Sequence, residues 1–108
     1  MKRGEVWWVS FDAAVDGEIR KRRPAVILSN DAANAALHRV QVIPLTRNTA
    51  KVYPGEALVS VAGRQGKATV SQLATASKQR LTKRLDTLST SDLKAVEKAV
   101  LVQLGLRS

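Results

Sequence analysis

The sequence predicts a mainly β, α+β fold, in which a small, strongly curved antiparallel sheet or barrel carries one helix. Five or six short runs are rich in β-branched and aromatic residues and end at turn-forming residues, a pattern typical of short antiparallel strands. The end of the chain has apolar residues at helical spacing instead. The chain has 108 residues, of which 44% are hydrophobic, so it can bury one modest core. We therefore expect a single domain over residues 1–108.

The first predicted strand spans residues 5–11 and carries both tryptophans of the chain. Successive side chains of a strand point to opposite faces, so Val6 and Trp8 share one face while Trp7 and Val9 share the other. We expect one tryptophan to lie in the core and the other to lie near a surface or an interface.

The middle of the chain predicts further strands separated by polar loops, and these strands are expected at residues 24–29, 39–45, 56–61 and 67–72. Residues 30–37 fit one short helical turn. The last two strands are expected to form a hairpin joined by residues 62–66. Residues 12–22 and 46–53 are polar and predict loops. Residues 78–88 fit either helical spacing or a short strand with a turn.

The final element is predicted to be an amphipathic helix with recognisable ends. Ser89 is the expected N-cap, and Asp92 stands three residues later, where a capping box needs an acidic group that reaches back. Gly105 is the expected terminator. One apolar face is predicted to pack on the sheet, and it consists of Leu93, Val96, Val100 and Leu104.

The overall charge points to a polyanionic partner. Eighteen lysines and arginines face nine acidic residues, which gives a net charge of +9. Such an excess on a small domain favours binding to nucleic acid or to an acidic protein. No cysteine is present, which excludes disulfides and thiolate metal sites. No stretch approaches the roughly 20 apolar residues that cross a bilayer, and residues 1–5 do not begin a signal peptide, so we expect a cytoplasmic protein.

The basic run at residues 20–23 is the strongest local signal for function. Pro24 follows it and disfavours the helical conformation for Arg23, so Arg23 is expected where a loop enters a strand. A guanidinium on rigid backbone beside a basic loop is suited to binding a phosphate. The alternative is that the run is only a solvated patch of charge.

The rest of the chain offers few groups for other kinds of catalysis. His38 is the single histidine, the acidic residues are scattered without metal-ligand spacing, and no glycine-rich phosphate loop is present. We therefore predict no metal and no cofactor. Arginine, threonine, serine, glutamine and one loop glutamate suit binding of a phosphodiester and stabilisation of its developing charge. RNA fits this set because its own 2′-OH can attack the adjacent phosphate.

Six segments, in order and spacing, resemble the MazF/PemK toxin family, the endoribonuclease half of bacterial toxin–antitoxin pairs. The segments are residues 3–9 (Arg-Gly-Glu-Val-Trp-Trp-Val), 17–18 (Gly-Glu), 23–29 (Arg-Pro-Ala-Val-Ile-Leu-Ser), 43–46 (Ile-Pro-Leu-Thr), 68–72 (Ala-Thr-Val-Ser-Gln) and 78–81 (Lys-Gln-Arg-Leu). The resemblance implies an SH3-like barrel with a C-terminal helix, working as a homodimer. It also implies metal-independent, ribosome-independent and sequence-specific cleavage of single-stranded mRNA that leaves 2′,3′-cyclic phosphate and 5′-hydroxyl ends. The implied protein partner is a MazE-like antitoxin with an acidic disordered tail.

The resemblance assigns roles to particular residues. It implies that Arg23 and Thr46 are the catalytic pair, and Glu18 matches an acidic residue of the first loop. Glu18 is a candidate for the general base, because arginine keeps its proton at neutral pH. Gln72 matches a glutamine near the RNA. The predicted RNA-binding residues are Arg20, Lys21, Arg22, Arg47, Asn48, Lys51, Tyr53, Gln72, Lys78 and Arg80.

Two positions depart from the pattern of the family. Ser71 and Gln65 stand where many members have an acidic residue, and both changes remove negative charge beside the expected RNA path. Two other kinds of function stay open at this point. One is a non-catalytic toxin of the CcdB type that binds gyrase, and the other is a basic RNA-binding barrel without activity.

Overall fold

The computed structural model describes residues 1–11 and 21–107, with Lys21 described through its backbone only. The strands are β1 (Glu5–Phe11), β2 (Lys21–Ile27), β3 (Arg39–Thr46), β4 (Glu56–Val61), β5 (Arg64–Thr69), β6 (Ala74–Ser77) and β7 (Leu81–Thr87). The α-helices are α1 (Asp31–Ala36) and α2 (Thr90–Leu104), and single 3-10 turns span Val70–Gln72 and Lys78–Arg80. None of the helices in these residues is long and apolar enough to cross a membrane.

All strand pairs are antiparallel, and the sheet order is β4-β5-β3-β2-β1-β7, with β6 paired to β3. The predicted α+β class, an antiparallel sheet with a C-terminal helix, is confirmed. Within the described strands, β4 and β7 stand at the two ends of this order, so backbone hydrogen bonds do not close the barrel.

Strand β3 is the centre of the sheet because it has partners on both edges. Its whole central stretch pairs with β2, while its opposite edge pairs first with β6 and then with β5. Gln41 accepts a hydrogen bond from Leu28 on the β2 side, so alternation directs Pro44 toward the other edge. Pro44 lacks an N–H and lies where that edge changes from the last β6 pair to the first β5 pair.

The central strands β1, β2 and β3 contribute buried residues to both faces of the sheet, which explains their near-continuous apolar runs. Val6 and Val26 belong to a cluster closed by α2, and Val9 and Ala25 belong to a second cluster on the opposite face. The first cluster comprises Val6, Val26, Ile43, Leu45, Ala57, Val59, Ala68, Val70, Leu88, Val96 and Ala99. The second comprises Val9, Ala25, Ile27, Val40, Val42, Ala76 and Leu81.

The tryptophans differ from the expectation that one of them lies in the core. Trp7 and Trp8 are both half-buried. Trp7 packs on the rim of the second cluster and donates its indole N–H to Glu5 Oε1 at 2.9 Å. Trp8 lies on the other face of β1.

Helix α2 begins and ends where the sequence predicts, with one difference. Ser89 accepts the N–H of Asp92 at 3.1 Å, and Gly105 is left-handed with φ of 68°. The Asp92 carboxylate does not reach back to Ser89 but accepts the N–H of Ser60 on β4 at 2.8 Å. This hydrogen bond satisfies a backbone N–H of β4, which stands at the edge of the sheet. Leu104 is 52% exposed, so the buried stripe ends before it.

Several predicted boundaries were wrong because tertiary pairing overrides local signals. Strand β2 begins at Lys21, so Arg23 lies inside a strand and not at its entrance. Strand β5 begins at Arg64 and ends at Thr69, so the hairpin turn has only two residues. Strand β6 was missed, and residues 78–88 form a 3-10 turn followed by β7.

Glu5 is a buried carboxylate at the start of β1. Its Oε2 atom lies 3.4 Å from an Arg84 guanidinium nitrogen on β7, and its Oε1 accepts the Trp7 indole N–H. Burial alone would raise the pKa of Glu5. The Trp7 hydrogen bond, a backbone hydrogen bond at Lys2, the N-terminal charge and Arg84 together outweigh burial and lower the pKa.

Glu5 is expected to make folding stability depend on pH. Because its pKa is lower in the folded state, its contribution is present above the unfolded-state pKa and is lost as pH falls through the folded-state pKa. The measurement is urea unfolding at neutral and acidic pH for the wild type and for Glu5→Gln. The variant is expected to be less stable at neutral pH and to lose less stability on acidification. Equal acid sensitivity of the two proteins would contradict this assignment.

Candidate functional site

A cleft of about 440 Å³ lies where β1, β2 and β3 meet the hairpin of β4 and β5. Its lining residues are Trp8, Arg22, Arg23, Pro24, Leu45, Thr46, Arg47, Val61, Ala62, Arg64, Gln65, Gly66 and Leu85. Aliphatic and aromatic side chains therefore line it together with four arginines. Arginine forks bind phosphates, and apolar walls accept a flat ring, so the cleft is suited to a ligand with both parts.

Arg23 and Thr46 come together because their strands are paired. Ala25 on β2 pairs with Pro44 on β3. Arg23 stands two residues before Ala25 and Thr46 stands two residues after Pro44, and because the strands are antiparallel both steps lead toward the same end of the pair. A shift of two keeps both residues on the same face as that pair. Both line the cleft, with Arg23 exposed and Thr46 half-buried.

The Thr46 hydroxyl is oriented by the chain that follows it. Its Oγ1 accepts the backbone N–H of Asn48 at 3.2 Å, as in a turn closed by a threonine side chain. A hydroxyl that accepts one hydrogen bond still has its own proton to donate. Thr46 can therefore donate to an oxygen atom of a ligand in the cleft.

Arg22 is held against an aromatic ring. Its guanidinium carbon lies 4.6 Å from the centroid of the Trp8 ring, which is within the range of a cation–π contact. Trp8 pairs with Pro24 across β1 and β2, and Arg22 stands two residues from Pro24 on the same face. The stack therefore follows from strand register.

The β4–β5 hairpin brings Arg64 and Gln65 to the cleft. Its two turn residues, Ala62 and Gly63, have φ of 50° and 78°, which is the pattern of a type I′ turn. Left-handed backbone is unusual for alanine. Asp86 on β7 accepts the Ala62 N–H at 2.7 Å and the Thr87 N–H at 2.8 Å, and these bonds lower the pKa of Asp86.

The loop after Thr46 is anchored by Lys67. This lysine is 9% exposed, and its Nζ donates to the carbonyl of Lys51 at 2.9 Å and lies 3.2 Å from Glu56 Oε1. Glu56 also accepts the backbone N–H of Tyr53 at 3.0 Å. Lys67 and Glu56 thus hold the loop between β3 and β4 at two points.

The charge of the cleft is positive and is not balanced by the neighbouring acids that the structure describes. No carboxylate is among the described lining residues. Within residues 1–11 and 21–107, the ion pairs join Arg3 to Glu97, Lys67 to Glu56 and Arg84 to Glu5, all outside the cleft lining. Guanidinium groups that have no carboxylate partner among the described residues favour binding of a phosphate chain.

The structure brings four of the predicted site residues into the cleft: Arg22, Arg23, Thr46 and Arg47. Glu18, Arg20 and the side chain of Lys21 lie outside the described residues. Their roles stay predictions.

Other predicted RNA-binding residues lie elsewhere. Asn48, Lys51 and the 60% exposed Tyr53 belong to the loop after Thr46 without lining the cleft. Gln72 lies in the 3-10 turn after β5. Lys78 donates its Nζ to the carbonyl of Asn34, and Arg80 donates to the Ser10 carbonyl at 3.2 Å, so both stabilise packing of the fold. Their roles in RNA binding stay predictions.

His38 is remote from the cleft. It precedes β3, while Thr46 ends this strand eight residues later, which places them roughly 26 Å apart at about 3.3 Å per residue. Its exposed side chain is therefore not a partner for Thr46.

The RNA-binding residues predicted from the sequence do not include three aromatic or polar residues of the lining: Trp8, Arg64 and Gln65. The sequence indicates Arg64 and Gln65 only as a departure from the family pattern beside the expected RNA path. The signal for Trp8 in the sequence is alternation, which places it on the same face of β1 as the polar Ser10. The register that brings this face to β2 and the hairpin was not visible in the sequence.

A family model for the PemK-like, MazF-like toxin of type II toxin–antitoxin systems matches residues 2–104. The chain belongs to this family, and the resemblance stated above is confirmed. Endoribonuclease MazF9 of Mycobacterium tuberculosis is 38% identical over 117 aligned residues, covering 100% of this chain and 99% of that protein.

Solved structures show the same fold. An endoribonuclease in complex with its cognate antitoxin from Mycobacterial species aligns with a TM-score of 0.84 at 21% identity, over 100% of this chain and 98% of that chain. MazF from Deinococcus radiodurans aligns with a TM-score of 0.84 at 25% identity, over 98% and 97% of the two chains.

Asp86 is expected to hold the hairpin that carries Arg64. Replacement by alanine removes the acceptor of the Ala62 N–H, so the amide hydrogen of Ala62 should exchange with solvent faster. Residue-resolved hydrogen exchange measures this, and Val42, buried on β3 and paired with β2 and β6, is the internal reference. Unchanged protection at Ala62, with a folded variant, would show that Asp86 does not fix the turn.

Proposed function

We propose that this toxin is an endoribonuclease that cleaves single-stranded mRNA at a short sequence motif, without a metal ion and independently of the ribosome. The observation that carries the proposal is the meeting of Arg23 and Thr46 in a cleft with three further arginines. The name of the relative MazF9, which aligns over the whole chain, supports the same activity.

The proposed reaction uses the RNA itself as the nucleophile. The 2′-oxygen attacks the adjacent phosphorus and loses its proton, and the bond to the 5′-oxygen of the next nucleotide breaks. The products are a 2′,3′-cyclic phosphate and a 5′-hydroxyl, which takes up a proton. Arg23 neutralises charge that develops on the non-bridging oxygens, and the Thr46 hydroxyl donates to one of them. Neither role requires a metal-bound water.

The reaction still needs a group that accepts the proton of the 2′-OH. The described lining of the cleft offers arginines, which keep their protons at neutral pH. Glu18 is proposed for this role because the resemblance places an acidic residue in the first loop. It would act as general base once RNA is bound.

The proposed assembly is a homodimer that acts in the cytoplasm and is inhibited by a MazE-like antitoxin. A positive cleft is suited to an acidic, disordered tail as well as to RNA, so the two would compete for the same arginines. A solved neighbour of the same fold is an endoribonuclease in complex with its cognate antitoxin. This supports the proposed partner.

Removal of either member of the catalytic pair is expected to abolish most of the activity. Arg23→Ala and Thr46→Ala should each slow cleavage of a long single-stranded RNA about 100- to 1,000-fold, because each removes one donor to the transition state. Thr46→Ser retains the hydroxyl and should retain more activity. The assay is performed in EDTA, and the new ends are mapped for 5′-hydroxyl groups.

Arg39→Ala is the matched control for Arg23→Ala, because Arg39 is an exposed strand arginine at the opposite end of β3. It should cleave at the wild-type rate. Cleavage by Arg23→Ala at that rate would overturn the proposal. Intact RNA that still binds the wild type would favour the inactive RNA-binding module, and intact RNA without binding would make gyrase the next target to test.

Glu18→Gln tests the proposed base separately. The single-turnover rate should fall by about 100-fold or more, since general bases contribute about 10²–10⁴-fold, while RNA affinity changes little. Rapid-quench cleavage with enzyme in excess gives the rate, and binding to an RNA with a 2′-deoxy cut site gives the affinity. An unchanged rate would remove Glu18 from the mechanism.

A further inference from the structure

We propose that Arg22 and Trp8 form a stacking subsite for one nucleobase next to the scissile phosphate. This inference rests on the proposed function and extends it, because it assigns a base contact to residues for which only general RNA binding was predicted. The Arg22 guanidinium is the stacking plane, and the Trp8 indole ring is the support on which it lies.

The geometry shows a prepared flat surface. The guanidinium carbon lies over the indole ring, 4.6 Å from its centroid, while Arg22 remains exposed at the cleft. Unstacked bases of single-stranded RNA commonly bind on arginine planes and aromatic rings. Holding the guanidinium on Trp8 reduces the rotamer freedom that Arg22 would otherwise lose when the base binds.

The surroundings of the pair favour a base over a second phosphate. Pro24, Leu45, Val61 and Leu85 line the same cleft and offer no group that could hydrogen-bond an anion through a side chain. A phosphate at Arg22 would gain the guanidinium N–H groups but no further donor from these four side chains, whereas the apolar face of a base can contact both the guanidinium and the apolar lining. The phosphate is therefore expected to bind at Arg23 and Thr46.

The position of the catalytic pair identifies which base is meant. Arg22 and Arg23 are consecutive residues of β2, so their side chains leave opposite faces of the strand, yet both line the same cleft. When Arg23 contacts the scissile phosphate, the base of a nucleotide flanking that phosphate is the one within reach of Arg22. Stacking accepts any base, so this subsite sets affinity and alignment of the RNA and not base identity.

The experiment uses abasic substitutions in a non-cleavable RNA. The cut site is first mapped with the wild type, and an oligonucleotide with a 2′-deoxy sugar at that site is then made abasic at one position at a time. For the wild type, removal of one base flanking the cut is expected to weaken binding about tenfold, within the range measured for base stacking. For Arg22→Lys plus Trp8→Leu, the same removal should cost less than about twofold.

Arg22→Lys alone retains the positive charge but not the planar guanidinium group, so the salt dependence of binding should remain as in the wild type. Arg64→Lys is the matched control, because this cleft arginine has no described aromatic partner, and it should keep the tenfold penalty. A full penalty in the double variant would overturn the subsite.

A second measurement avoids reliance on a variant that lacks Trp8. In Trp7→Phe, Trp8 is the single tryptophan, and its fluorescence should change when the intact oligonucleotide binds but not when the flanking base is missing. Equal changes with both oligonucleotides would also overturn the subsite.

RNA that is never cleaved by the wild type would instead refute the proposed function. Cleavage with no base dependent on Arg22 would refute the subsite alone.

Discussion

Strand β3 is the constraint on which the rest of the structure depends. It pairs with β2 along one edge and with β6 and then β5 along the other, so it joins both parts of the sheet. Pro44, which has no N–H, lies where the second partner changes. The end of β3 pairs with β5, just beyond the last pair with β2. Thr46 and Arg23 therefore both stand on strands at the cleft, and residues on strands are held more firmly than residues on a loop.

The acidic residues of the described chain serve the fold and leave the cleft positive. Each of the six accepts a hydrogen bond or an ion pair within the structure: Glu5, Asp31, Glu56, Asp86, Asp92 and Glu97. Asp31, Asp86 and Asp92 accept the backbone N–H groups of Arg3, Ala62 and Ser60, and Glu56 accepts that of Tyr53. Glu56 also pairs with Lys67, while Glu5 and Glu97 pair with Arg84 and Arg3. None of these six acids pairs with an arginine of the cleft, so part of the net charge of +9 is concentrated there.

Three residues stabilise the hairpin and the loop that border the cleft. Asp86 fixes the turn whose alanine has a left-handed conformation, and this turn sets the direction of Arg64. Lys67 and Glu56 fix the loop that follows Thr46. None of Asp86, Lys67 and Glu56 is among the described lining residues of the cleft. Under the proposed function they would keep the donors in place before RNA binds, which lowers the reorganisation needed during reaction.

The sequence by itself determined the fold class, most of the strands and both ends of α2, and its family resemblance singled out Arg23 and Thr46, which both line the cleft. These depend on local signals, such as alternation, capping and a recognisable motif, which act within a few residues. Only the tertiary structure decided the short turn at Ala62, strand β6, and the presence of Trp8, Arg64 and Gln65 in the cleft. These features depend on register between strands distant in sequence, and on Asp86 stabilising a turn that alanine alone disfavours.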